Sequence, residues 1–158
     1  MRALMLSLLL CLPACSQAAE PAPAPAAQAS VHPVSGLEVL PLTVTTADGQ
    51  VHAFQVEMAR SGPEQAQGLM FRTQMGANEG MLFPYDQPRI LSFWMKNTVL
   101  SLDIIFIGPD RRIVNVADHT VPYSEESVMS VAPAIAVLEL NAGRAEELGI
   151  TAGSKVDW

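Results

Sequence analysis

Four apolar segments decide the fold of this chain: GLMFR (68–72), GMLF (80–83), FWMKNT (93–98) and LDIIFI (102–107). Each of them carries a glycine or a single polar residue at a position where a buried segment normally has neither. Polar groups are costly to bury without partners, so such residues need a structural or a functional reason. The segments therefore predict a densely packed domain built around a few placed charges.

Short strands and tight turns surround these segments. Asp48-Gly49 separates a run rich in Val, Leu and Thr (37–46) from a second run with Val51, Phe54, Val56 and Met58, and Gly108-Pro109-Asp110 follows the last apolar segment; both are turn sequences. The capping-box sequence Ser61-Gly62-Pro63-Glu64 predicts a short helix to about Phe71, and Asn141 is expected to cap a second helix. The pattern predicts a mainly β fold, a compact antiparallel β-sandwich or barrel-like domain with two short helices.

Residues 1–19 have the composition of a signal peptide. The apolar run after Arg2 is too short to cross a bilayer, which needs about 20 residues. Two cleavage sites stay open. Leu12-Pro13-Ala14-Cys15 resembles a lipoprotein signal, in which Cys15 is lipidated, and the alternative is ordinary cleavage near Ala19. Either site predicts export to the periplasm, and Ser16 after a lipidated cysteine predicts an outer-membrane lipoprotein of the cell envelope.

A linker and one domain follow the signal. Residues 20–36 begin with alternating proline and alanine and predict an extended linker, and residues 37–158 form the domain. Both cysteines, Cys11 and Cys15, precede the linker, so the domain has no disulfide. The net charge of −7 disfavours nucleic acid as a partner and leaves a lipid anchor as the expected membrane contact.

Lys96 and Asp103 are the sharpest candidate pair, because each lies in apolar sequence and a turn between them can bring them together. In the functional interpretation, Lys96 and Asn97 bind an anionic or hydroxylated ligand. Trp94 supplies a flat face, and Asp103 orients Lys96. The alternative is an internal ion pair that fixes the hairpin, a frequent use of buried charges.

Arg72 and Glu139 form a second candidate pair, with Arg72 at the end of a helix and Glu139 inside a strand. Arginine suits forked contacts to a carboxylate or a phosphate, so Arg72 joins the predicted ligand site. The alternative is a salt bridge between the two residues that fixes the helix to the sheet. Because both interpretations stay open, the predicted role of Glu139 is either structural or functional.

The sequence contains no motif typical of a metal or cofactor site. The three histidines match no ligand spacing, and the methionines are expected to fill the core, so we expect no metal and no cofactor. No nucleophile elbow, Ser-x-x-Lys dyad or P-loop is present, which leans against an enzyme.

The four opening segments, together with Val137-Leu138-Glu139-Leu140 and Ala142-Gly143, resemble the family called domain of unknown function 192, or DUF192. The resemblance extends over nearly all of the chain after the linker. It implies a compact, mainly β fold of sandwich type and no particular activity.

Three hypotheses for the function remain. The leading one is an exported, lipid-anchored module that binds a small polar or anionic ligand or a component of the cell envelope. The second is an envelope hydrolase that uses Lys96 or Asp103 as a general base. The third is a purely structural envelope protein.

Overall fold

The computed structural model describes residues 30–158, so the predicted signal peptide, Cys15 and residues 20–29 of the linker lie outside the described part. No described helix is long and apolar enough to cross a membrane. The elements, numbered in chain order, are β1 (Ser30–Val31), β2 (Glu38–Thr45), β3 (Val51–Met58), α1 (Gly62–Gln67), β4 (Glu79–Arg89), β5 (Ser92–Phe93), β6 (Leu102–Ile107), β7 (Ile113–Ala117), β8 (Val128–Met129), β9 (Ala134–Asn141), α2 (Arg144–Glu147) and β10 (Lys155–Asp157).

The main sheet has the strand order β1-β2-β3-β4-β9-β6-β7, and β10 pairs with β2. Its strand pairs are antiparallel apart from β3 and β4, which are parallel because the connection between them crosses over through α1. A single bridge between Arg112 and Lys155 joins the two ends of the curled sheet without a continuous ladder. Strands β5 and β8 form a separate small sheet. The predicted mainly β, sandwich-like fold with two short helices is confirmed.

Each face of the main sheet carries a hydrophobic core. The first core includes Val44, Phe54 and Leu138, and the second includes Phe83 and Val137 on the opposite face. All six residues of β6 are buried, because this strand contributes to both cores. That position explains its continuous apolar sequence, which lacks the alternation of a half-exposed strand.

The predicted first turn and first helix are confirmed, with a shorter helix. Gly49 has a φ of 84° in the hairpin between β2 and β3, a conformation that glycine adopts without steric cost. Ser61 and Glu64 form the reciprocal capping box at the start of α1. The helix ends at Gln67, and Phe71 has a φ of 63°, which is outside the helical region.

The predicted cap of the second helix is wrong. Helix α2 has Gly143 as its N-cap, whereas Asn141 is the last residue of β9. The side-chain amide of Asn141 donates hydrogen bonds to the carbonyl oxygens of Met75 and Gly76, at 2.9 and 3.1 Å. Asn141 therefore connects β9 to the loop before β4.

Residues 30–36, which the sequence assigns to the linker, contact the domain. Ser30 and Val31 pair with β2, where their partners are Val39 and Glu38. The hydroxyl of Ser35 donates a hydrogen bond to the carboxylate of Glu57 in β3. The end of the predicted linker is thus part of the packed structure.

Candidate functional site

The predicted contact between Lys96 and Asp103 is not formed. Asp103 is completely buried, and its carboxylate accepts hydrogen bonds from the backbone N–H groups of His119, Gly143 and Ala145, at 3.0, 3.0 and 2.8 Å. Three such bonds satisfy a buried carboxylate without a cation. Asp103 therefore joins β6 to the start of α2, and its role is structural.

Lys96 lies at the surface. Strand β5 ends at Phe93, and the chain then turns at Asn97, so the Lys96 side chain is 42% exposed. Its Nζ atom is 3.8 Å from a carboxylate oxygen of Glu125 and 5.0 Å from the centre of the Trp94 ring. Contacts of this kind stabilise an exposed lysine only modestly.

The second candidate pair, Arg72 and Glu139, is not formed either. Arg72 donates from Nη1 and Nη2 to the two carboxylate oxygens of Glu57, at 2.8 and 2.9 Å. The two side chains are only 9% and 4% exposed. Two wider grooves, of about 710 and 420 Å³, flank Arg72, but the charge of its guanidinium is already neutralised by Glu57. One feature of the sequence could have indicated this partner: Glu57 is an acidic residue between Val56 and Met58, at the apolar end of β3.

Glu139 has no such partner. It lies on the face of β9 that carries the second core, opposite Met81 of β4 and Ile104 of β6, and it is 5% exposed. Within residues 30–158 its carboxylate forms no ion pair within 4.0 Å, and burial alone raises its pKa to about 8. The cause is desolvation, which disfavours the charged form of a carboxyl group.

The side chain of Glu139 lines a cleft of about 170 Å³ between α1 and the turn after β5. Aromatic rings of Phe83, Tyr85, Phe93 and Trp94 also line it. Phe83 and Phe93 pack edge to face, with ring centres 5.0 Å apart. Burial raises the pKa of Tyr85, and the nearby Glu139 carboxylate adds to that rise. The cleft is therefore a partly aromatic recess, with one carboxyl group and the polar side chains of Gln65, Gln67, Ser92 and Thr98 also in its lining.

Three backbone segments meet beside this cleft in strained conformations. Phe71, Asn97 and Tyr123 all have positive φ angles, of 63°, 56° and 62°. The N–H of Phe71 donates to the carbonyl of Asn97, and the N–H of Tyr123 donates to the carbonyl of Thr98, at 2.9 and 3.1 Å. Asparagine tolerates this conformation, whereas bulky aromatic residues rarely adopt it. Strain of this kind concentrates at functional sites.

Large parts of three aromatic side chains remain exposed around the same turn. The exposed fractions are 48% for Trp94, 66% for Phe71 and 60% for Tyr123. Trp94 lines the cleft, and Phe71 and Tyr123 are held next to it by the hydrogen bonds to Asn97 and Thr98. Trp94 therefore brings exposed apolar surface to the cleft, and Phe71 and Tyr123 carry further exposed rings on segments that are hydrogen-bonded to the same turn.

Of the residues predicted for the site, Trp94 and Glu139 come together in the cleft. Lys96 and Asn97 lie on the turn at its edge, while Arg72 and Asp103 bind other groups. The other members of the cleft, which include Gln65, Phe83, Tyr85, Phe93 and Thr98, are not among the residues predicted for the site. Tyr85 had a weak signal, as an aromatic residue between two prolines at the end of an apolar strand.

The described part of the chain contains no group of three or more His, Cys, Asp or Glu side chains that could hold a metal ion. The lining of the cleft likewise carries a single acidic side chain, Glu139. Its aromatic surface and lone carboxyl suit a small organic molecule.

Comparisons with known proteins place the chain in a family. No curated protein matches it. A crystal structure of a protein of unknown function from Novosphingobium aromaticivorans is 53% identical, has a TM-score of 0.81, and covers 84% of this chain and 94% of its own. A second, from Sinorhizobium meliloti and described as a candidate transcription regulator, is 39% identical with a TM-score of 0.75 and covers 77% and 94%. Because the family described as "Uncharacterized ACR" matches residues 43–158, the chain belongs to the DUF192 family.

Proposed function

We propose that this DUF192 protein is a small-ligand-binding module of the cell envelope, exported and anchored through a lipid on Cys15. The ligand binds in the cleft lined by Glu139, with Trp94 at its mouth. The linker between Cys15 and the domain holds the cleft away from the membrane surface.

A comparison of the three buried acidic residues supports this proposal. The carboxylate of Glu57 accepts hydrogen bonds from both terminal nitrogens of Arg72, and that of Asp103 accepts three from backbone N–H groups. Glu139 has burial as the sole cause of its raised pKa, with no stabilising contact. A carboxyl kept only for the fold would be expected to have partners like the other two. A carboxyl in the lining of a cleft, with no ion pair to the described side chains, is instead suited to contact a ligand.

The two other hypotheses account for less. A purely structural protein explains Asp103 and the pair of Arg72 and Glu57, but it gives no reason for the aromatic cleft over Glu139. A hydrolase that uses Asp103 as a base lacks an accessible base, because Asp103 is buried and its carboxylate is hydrogen-bonded to the backbone. Lys96 is exposed, but it lies between Glu125 and the Trp94 ring and outside the lining of the cleft. The acidic net charge gives no reason to extend the description of the Sinorhizobium protein as a regulator to this chain.

The binding proposal is tested by titrating small polar ligands into the full-length protein. Trp94 lines the cleft, so its fluorescence reports occupancy once the second tryptophan is replaced by Trp158→Phe. A true ligand also raises the melting temperature of the protein. Because Trp94→Ala removes the fluorescent reporter, its binding is read from the shift in melting temperature; this substitution should weaken binding at least tenfold, and Tyr123→Ala, outside the lining of the cleft, should weaken it much less. Equal effects of the two substitutions would contradict the proposed site.

The anchor is tested separately by cell fractionation. Cys15→Ser should move the protein from the membrane fraction to the soluble periplasmic fraction, while Cys11→Ser should leave it with the membranes. Retention of the Cys15→Ser protein in the membrane fraction would contradict lipid anchoring.

A further inference from the structure

We propose that the cleft binds a small organic ammonium group, with the Glu139 carboxylate as its counter-ion and the rings of Tyr85, Phe93 and Trp94 as its walls. The inference rests on the proposed function, which makes this cleft the ligand site. It adds the charge and the chemical class of the ligand.

The first argument is the charge of the cleft. A buried carboxylate is stable only with a positive partner or several hydrogen bonds, and Glu139 has neither among the described side chains. An ammonium ligand would supply the missing charge. An anionic ligand would instead meet the carboxyl of Glu139 inside the cleft, because Arg72 is bound to Glu57 and both Arg89 and Lys96 lie outside the lining.

The second argument is the surface of the walls. The face of an aromatic ring attracts cations, and aromatic cages with a nearby acidic group are a common way to recognise alkylated ammonium ions. Two of these rings already carry a cation in the structure: Arg89 lies 4.7 Å from the centre of the Tyr85 ring, and Lys96 lies 5.0 Å from that of Trp94. The rings are thus accessible to positive groups from the side of the solvent.

The third argument is the size of the cleft. A volume of about 170 Å³ is close to that of an apolar cavity that holds one benzene molecule, on the order of 150 Å³. A trimethylammonium group falls in the same range of size. Since its methyl groups form no hydrogen bonds, such a group needs few polar partners beyond the carboxylate.

Binding of a cation must then depend on pH. The ligand requires the ionised form of Glu139, whose pKa is raised to about 8, so a proton leaves on binding at lower pH. Affinity should rise about tenfold per pH unit up to about pH 8 and then level off. The other ionisable groups around the cleft are Tyr85 and Arg89 on β4, Lys96 on the turn and Glu125 opposite it. Burial raises the pKa of Tyr85 above its ordinary value, so its phenol stays protonated in this range.

The experiment compares choline with its uncharged tert-butyl analogue, in which carbon replaces nitrogen. Both are titrated at pH 6 and pH 8 into the full-length protein in a detergent that lacks ammonium groups, with Trp94 fluorescence and calorimetry as readouts. We expect choline to bind, with affinity at least tenfold higher at pH 8, and to bind at least tenfold more tightly than the analogue. Tetramethylammonium tests the charged group alone.

Three variants identify the groups involved. Glu139→Gln keeps the shape of the side chain and should abolish both the preference for choline and the effect of pH. Lys96→Gln removes a positive charge at the edge of the cleft and should strengthen choline binding severalfold. If the true ligand were an anion, the same substitution would weaken its binding. The control is Glu147→Gln, an exposed residue of α2, which should change nothing.

The outcomes separate this inference from the proposed function. Equal binding of choline and its analogue, with no effect of Glu139→Gln, would overturn the ammonium site and leave a ligand cleft in place. If no compound of a neutral and charged panel changes the fluorescence of Trp94, both proposals fail. Vesicles of phosphatidylcholine compared with phosphatidylglycerol identify the source: preferential binding to the former indicates a lipid headgroup, and binding to free choline alone indicates a soluble ligand.

Discussion

Arg72 binds Glu57 through both terminal nitrogens of its guanidinium group, and both side chains are almost completely buried. This pair uses the cation that the sequence suggested for Glu139. Among residues 30–158, no cation pairs with the carboxyl of Glu139, which lines a partly aromatic cleft. The most informative difference between the predicted and the observed site is therefore which acidic residue this arginine contacts.

The stability of the protein should depend on pH through Glu139. Its pKa is raised from an ordinary value of 4.5 to about 8, so the folded state holds the proton more tightly than the unfolded state. The protein gains stability from this group below about pH 4.5 and loses it as pH rises toward 8. Relative to Glu139→Gln, the wild type should lose about 3 kcal/mol between pH 4.5 and pH 7.

The measurement for Glu139 is urea unfolding of both proteins at several pH values, with Glu147→Gln as the exposed control. A stability difference between wild type and Glu139→Gln that does not change with pH would show that the pKa of Glu139 is the same in the folded and the unfolded protein.

Asp103→Asn should destabilise the domain strongly, by roughly 3 kcal/mol. The amide has one oxygen to accept hydrogen bonds in place of two, and its NH₂ group faces the N–H groups of the backbone. Denaturant unfolding measures the loss, and Asp118→Asn at an exposed neighbouring position is the matched control. A folded Asp103→Asn protein that keeps its stability but loses ligand binding would contradict the structural role of Asp103.

The pair of Arg72 and Glu57 should show strong coupling in a double-mutant cycle. Removal of either partner leaves a buried charge, at a cost of about 3–5 kcal/mol, whereas Arg72→Met combined with Glu57→Met should cost much less than the sum. Unfolding free energies of the three variants test the prediction. Additive effects would indicate that the two side chains act independently in solution.

Gly80→Ala should destabilise the protein by at least about 2 kcal/mol, because strands β4 and β9 approach closely at this position. An added Cβ atom would lie 2.6 Å from the carbonyl oxygen of Glu139 and 2.9 Å from a methyl carbon of Leu140. The control is Gly62→Ala in α1, where no atom lies within 4 Å of the added carbon. Equal thermal stability of the two variants would show that β4 can move away from β9.

The fold could be predicted from local signals, and the site could be predicted only in part. Asp48-Gly49 and the capping box at Ser61 act over a few residues, so their outcome does not depend on the rest of the chain. The parallel pairing of β3 with β4 depends on where α1 packs, and no local sequence encodes it. Asn141 was misassigned for the same reason, since its partners, Met75 and Gly76, are far away in the chain.

The sequence by itself determined that this is a mainly β domain in which a few polar residues, including Asp103 and Glu139, are buried. It could do so because turn chemistry and hydrophobic burial are properties of short segments. Only the tertiary structure decided the partner of each buried charge. Ion pairs and hydrogen bonds form over a few ångströms between residues that lie far apart in the chain, so Asp103 and Glu139 looked alike in sequence. The fold surrounded Asp103 with backbone N–H groups and placed Glu139 in the lining of an aromatic cleft.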